Sequence, residues 1–216
     1  MNIDKIIQRY FPEGLSPNIE VFDDKNIYAV YADIVKMLMA YPDIETSILQ
    51  SLSYCFYEVL DNVLTHSNKK CGTALSCYDE KKNTIRILVA DDGIGICASL
   101  QENDLYKDIS EVDALRLSIQ DKVTDGKGMG FGLYTTARLV RNAGIQMIIH
   151  SGSSVLVYDG ETVNVNETAN WQGTIVFFEL HSNREINPND IVDNRTDCET
   201  EFNETFLGNS ELDNLW

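Results

Sequence analysis

The stretch Ala90-Asp91-Asp92-Gly93-Ile94-Gly95-Ile96 follows the apolar run Ile85–Val89 and decides how the rest of the chain is read. Ile85–Val89 has the composition of a buried strand. A carboxylate at the end of such a strand, with two glycines after it, lets the backbone bend tightly and approach a flat ligand closely. Asp91 is placed to accept a hydrogen bond from an exocyclic amine. Taken alone, the same residues also describe an acidic turn.

Upstream, Glu45 to Thr65 carries a helical period, with Ile48, Leu52, Cys55, Phe56, Val59, Leu60 and Val63 on one face. Glu58 and Asn62 are one helical step of four apart, on the flank of that stripe, and His66 is the next such step. On the boundary between core and cleft, an amide oxygen can ligate a hard cation such as Mg²⁺ and a carboxylate can accept a proton.

Downstream, Asp125-Gly126-Lys127-Gly128-Met129-Gly130-Phe131-Gly132-Leu133 has a glycine at every second position from Gly126 to Gly132. Such a run suits neither a strand nor a helix interior. It exposes backbone N–H groups beside the start of a helix over 131–142, an anion site with Lys127 as a point charge. The polar connection 96–127 between the two glycine segments is expected to act as a flexible lid. A fourth piece, Gly173-Thr174, opens a strand over 174–180.

The remaining pattern fills in the architecture. Strands are expected at 73–78, 84–90, 145–150, 155–159, 162–165 and 174–180, and a short helix at 111–120. Hairpin strands with segregated helices indicate an α+β class, a two-layer sandwich with helices on one face of a mixed, mostly antiparallel sheet. Residues 1–44 form an N-terminal extension in which Ile19–Val21 and Ile27–Tyr31 are candidates for extra strands or a dimer surface. The main domain covers 45–182.

In order and spacing, the four pieces resemble the GHKL ATP-binding superfamily, over roughly Ser51 to Leu180. Glu58–Asn62 resembles its N box, Asp91–Gly95 its first glycine box, Gly128–Leu133 its second and Gly173-Thr174 its third. The resemblance implies the Bergerat-type ATP-binding fold with ATP and Mg²⁺ as ligands. Asn62 would hold Mg²⁺, Asp91 would read the adenine amino group, and Thr174 would assist through water. Gly93 and Gly95 would let the backbone pass the nucleoside. Gly128, Gly130 and Gly132, with Leu133 and Lys127, would surround the phosphates. Glu58 matches the position that activates the attacking water or hydroxyl, and His66 lies near the phosphates.

No histidine precedes His66, so autophosphorylation on an upstream histidine is not expected from this chain. The short layout and Glu58 resemble stand-alone anti-sigma-type serine kinases, which act on a small regulatory protein. The alternatives are an ATP-switched partner-binding module and a slow ATPase.

Charge sharpens the choice of ligand. The 216 residues carry 17 Lys+Arg against 34 Asp+Glu, a formal charge of −17. From Asn183 onward there are nine acids against Arg184 and Arg195, so −7 falls on 183–216 and −10 on the rest. Residues 183–216 are expected to be a flexible acidic tail. Such acidity disfavours nucleic acid and anionic membranes as partners. It leaves room for a nucleotide whose charge is met locally by glycine N–H groups, Lys127 and Mg²⁺. The N-terminus lacks the apolar core of a signal peptide and five cysteines form no CxxC pair, which suits a reducing cytoplasm.

Overall fold

A computed structural model describes residues 2–127 and 132–192. Gly128 and Gly130, expected to surround the phosphates, and the acidic tail beyond residue 192 lie outside the described residues. Five strands form one sheet: β1 (Asn18–Asp23), β2 (Cys71–Asp79), β3 (Thr84–Ala90), β4 (Gly144–Tyr158) and β5 (Val163–His181), in the order β1-β2-β3-β5-β4. Every described pairing is antiparallel. The chain is thus an α+β sandwich.

The alternation of the central strands explains the layers. Ile85, Ile87 and Val89 of β3, with Val176, Phe178 and Leu180 of β5, face one core. Against it lie α2 (Ile27–Met39), α3 (Thr46–His66) and α6 (Gly132–Ala143). The expected stripe of α3 is buried throughout, and Phe56 is wholly inaccessible. Burying such an aromatic contributes about 1.5–3 kcal/mol. The opposite residues, Leu88, Ala90, Ile175 and Phe177, join Leu75 and Cys77 in a second cluster. The amphipathic helix α1 (Ile3–Tyr10) closes that face with Ile6, Tyr10 and Phe11. The helix layer is therefore accompanied by one helix on the other side of the sheet.

Three local expectations change. Ile27–Tyr31 is the start of α2 rather than a strand, because Ile27, Val30, Tyr31, Ile34, Val35 and Leu38 are buried at helical spacing. The stretches read as four short strands over 145–180 are two long ones. Ser154 to Val157 pair with Glu167 to Asn164 across the hairpin, and register shifts around Gly152 absorb what looked like breaks. The lid region 96–127 contains α4 (Gly95–Leu100), a 3₁₀ turn (Asp104–Tyr106) and α5 (Glu111–Ser118).

Both flanking segments pack onto the main body. β1 pairs with β2, Ile19 opposite Leu75. Past the compositional shift, the Ile186 N–H donates to Ser47 Oγ at 3.2 Å, Arg184 bonds the Asn142 carbonyl, and Arg138 bonds that of Asp190. Ile191, in the short helix α7 (Asn189–Val192), is wholly buried.

Candidate nucleotide site

Asp91 is one residue past β3 and only 3% exposed. Its Oδ1 accepts the Gly93 N–H at 2.7 Å, and its own N–H donates to the Thr174 carbonyl at 2.9 Å. Burial pushes the carboxyl up to about 6, and neighbouring Asp92 pushes the same way. The backbones of Gly93 and Thr174, and the Lys69 charge, oppose that shift. Asp91 is thus a scarce acceptor in a dry site, costly unless something hydrogen-bonds it.

The loop after Asp91 is clasped by the start of the third glycine piece. Trp171 Nε1 donates to the Asp91 carbonyl at 3.2 Å, and Gln172 Nε2 to the Gly93 carbonyl. Gly173 adopts φ +99° and lies so close that a Cβ there would meet the Asp91 carbonyl and, at 2.6 Å, the Gly93 nitrogen. Only glycine fits. At the other end of the loop Ile94 N–H donates to the Ser67 carbonyl at 2.9 Å. Just inside α4, which opens at Gly95, Ile96 N–H donates to Ser151 Oγ at 2.9 Å.

The second half of the site is built on α3. Glu58 and Asn62 are partly exposed on its flank, as the spacing requires. Gly132, the first residue of α6, sits against both. A Cβ there would lie 2.7 Å from Asn62 Nδ2 and 3.3 Å from Glu58 Cβ. The second glycine segment therefore returns to the chain beside Glu58 and Asn62. Leu133 turns into the main core instead. A half-buried amide and carboxylate with a glycine backbone against them suit a hard cation that takes few protein ligands and keeps other oxygens. Asn62 is the residue that would hold Mg²⁺ there.

Lys127 is engaged with acids. Its Nζ lies 2.7 Å from Glu102 Oε2 and 3.9 Å from Asp125 Oδ2. His66 is likewise committed, with Nδ1 2.7 Å from Asp125 Oδ2. Ser99 Oγ donates to the same oxygen at 2.7 Å, and Lys127 N–H to Asp125 Oδ1 at 2.9 Å. Burial alone would raise the Asp125 carboxyl. The Lys127 amide, His66 and Ser99 outweigh it and hold the group below the usual carboxylate range.

The structure thus brings Asp91, Gly93, Gly95 and Thr174 to one clasped loop, and Glu58, Asn62 and Gly132 to one flank of α3. Asp125, Ser99, Trp171 and Gln172 escaped the sequence reading. Asp125 carried a faint signal, as the acid opening the glycine run, and the other three carried none.

Comparison with known families fits this geometry. Residues 49–184 match the family model described as histidine kinase-, DNA gyrase B- and HSP90-like ATPase. A search of curated proteins finds no match. Among the described residues, no helix is long and apolar enough to cross a membrane.

Proposed function

The chain belongs to this family of GHKL-type ATP-binding domains, and from that premise we propose that it is a Mg-ATP-dependent regulatory protein that phosphorylates a hydroxyl on a small partner protein. The observation that carries the reading is the approach of Gly132 to Glu58 and Asn62, alongside a buried acceptor at Asp91. A nucleoside end and a phosphate end are then both supplied.

Asp91 accepts the adenine amino hydrogen, and the clasp through Gly173 keeps that acceptor still. Thr174 borders the same loop. The phosphates lie along the glycine segment between Lys127 and Gly132. Asn62 would hold Mg²⁺, which when bound neutralises phosphate charge. Glu58 takes the proton from the partner hydroxyl as its oxygen attacks the γ-phosphorus and the bond to the β-γ bridging oxygen breaks, releasing ADP. The protein contributes chiefly position and electrostatics.

A second reading, an ATP-switched binder with slow hydrolysis or none, draws on one observation. Lys127 is tied to Glu102, so reaching a phosphate requires it to change partner. Labelled ATP with Mg²⁺, alone and with candidate partner proteins, separates the two: labelled partner supports the kinase, released or untouched phosphate the switch. Glu58→Ala is expected to keep ATP binding and lose transfer. Full transfer by that variant removes Glu58 from the mechanism, and absence of ATP binding by the wild type removes both readings.

A further inference from the structure

Glu58, Asn62 and His66 form one line of α3 at steps of four residues. The first two touch Gly132, and the third meets Asp125, two residues before Lys127. Both described flanks of the second glycine segment therefore rest on a single line of one helix. The contact at the Lys127 flank is constructed from distant parts of the chain. His66 is 59 residues from Asp125, and Ser99 of α4 is 26 residues from it.

The chemistry of that contact is well defined. The Asp125 side chain is 1% exposed and that of His66 26%. Asp125 is held below the usual carboxylate range and is therefore an acceptor only, so His66 Nδ1 carries the proton between them. Ser99 and the Lys127 amide supply the other donors. A buried carboxylate with three donors is a strong, directional anchor, unlike the half-exposed pair Lys127–Glu102. Asn103 Nδ2 adds a hold on the preceding residue, donating to the Thr124 carbonyl at 3.0 Å.

We propose that His66, Asp125 and Ser99 form a positioning clamp that fixes Gly126 and Lys127 at the end of α3, one turn past Asn62, so that this flank of the glycine segment meets a triphosphate already in register. The proposal rests on the ATP-binding reading above. It assigns His66 to holding the protein's own loop, with Nδ1 spent on Asp125, instead of to direct contact with phosphate. It also makes Asp125 the pivot between α3, α4 and the glycine segment. Removing the clamp leaves the Asp91 half of the site intact, because none of its three side chains bonds the loop 91–95.

The test compares Mg-ATP and adenosine binding by calorimetry in the wild type, His66→Ala, His66→Asn and Ser99→Ala. Amide hydrogen exchange of the peptide covering 124–127 is followed without nucleotide. His66→Ala is expected to weaken ATP by about tenfold, the loss of one charge-assisted hydrogen bond, and to leave adenosine unchanged. His66→Asn, whose amide can place a donor at the Nδ1 position, is expected to restore most of the ATP affinity. Exchange at 124–127 is expected to speed up in His66→Ala, and less so in Ser99→Ala. Equal losses for ATP and adenosine, no rescue by asparagine, or unchanged exchange at 124–127 would each overturn the clamp. A wild type that binds neither ligand refutes the ATP reading, while the exchange measurement still decides whether the clamp holds the loop.

Discussion

The two halves of the site are held by different means. Around Asp91 backbone groups and close approach dominate, with Gly93 N–H on the carboxylate, Thr174 C=O on the amide and Gly173 against the turn. The Trp171 and Gln172 side chains bond only backbone carbonyls of the loop. Around Lys127 the parts are fixed by side chains reaching across the chain, His66 and Ser99 to Asp125 and Glu102 to Lys127. Backbone contacts have few alternative arrangements, whereas a side-chain contact can be removed singly by substitution. A nucleoside can thus meet an acceptor set largely by the backbone, while the phosphates meet Gly126 and Lys127 held in place by side chains.

The hardest blow to the first half is Gly173→Ala. It forces a Cβ into the Asp91 carbonyl at a φ of +99°, and the expected cost is about 3 kcal/mol or more of stability. Thermal unfolding checks it, and a melting temperature near wild type would show the clasp to be looser than its geometry. Next comes Asp91→Asn. Gly93 N–H already takes one oxygen, so asparagine presents an amide nitrogen where adenine needs an acceptor. ATP affinity is expected to fall by about 10- to 100-fold, in line with a buried donor left unpaired.

The same carboxylate gives the comparison a pH signature. Asp91 titrates near 6, above the ordinary value of 3.8. The folded protein therefore takes up this proton more readily than the unfolded chain. On this group's account stability rises as pH falls from about 6 toward 4, while the acceptor for adenine is lost. ATP affinity is expected to drop roughly tenfold between pH 7 and pH 5. Asp91→Asn should flatten that part of the profile; an unchanged profile would move the titration elsewhere.

The phosphate half should respond more gently. Gly132→Ala presses on the Asn62 amide, a side chain able to shift, so stability should change by about 1 kcal/mol or less. The Mg²⁺-dependent part of ATP binding should weaken, read by titration with and without the metal. Smallest of all is Glu102→Gln. It releases Lys127 from an exposed partner and should alter ATP affinity by no more than about threefold. A large loss there would mean that the pair organises the segment rather than parking the lysine.

What could be read from sequence follows the same division. The loop 91–95, the line Glu58–Asn62–His66 and the buried stripe of α3 depend on residues a few positions apart, where spacing converts directly to geometry. The Asp125 contact joins positions 66, 99 and 125, and no local pattern announces it. Serine, glycine and asparagine around 151–154 and 166–173 suggest strand breaks, but pairing across the hairpin outweighs local preference. Ile27–Tyr31 has strand-like residues, yet its burial at helical spacing prevailed.

The helix α1 lies outside the family-matched span 49–184, and so does the edge strand β1. Expressing that span alone would strip the cover from Leu75, Leu88 and Phe177 and unpair the outer edge of β2. A bare apolar sheet face beside an open strand edge is a recipe for self-association. A piece that keeps this cover therefore begins before Ile3, some forty-five residues upstream of where the family signature starts.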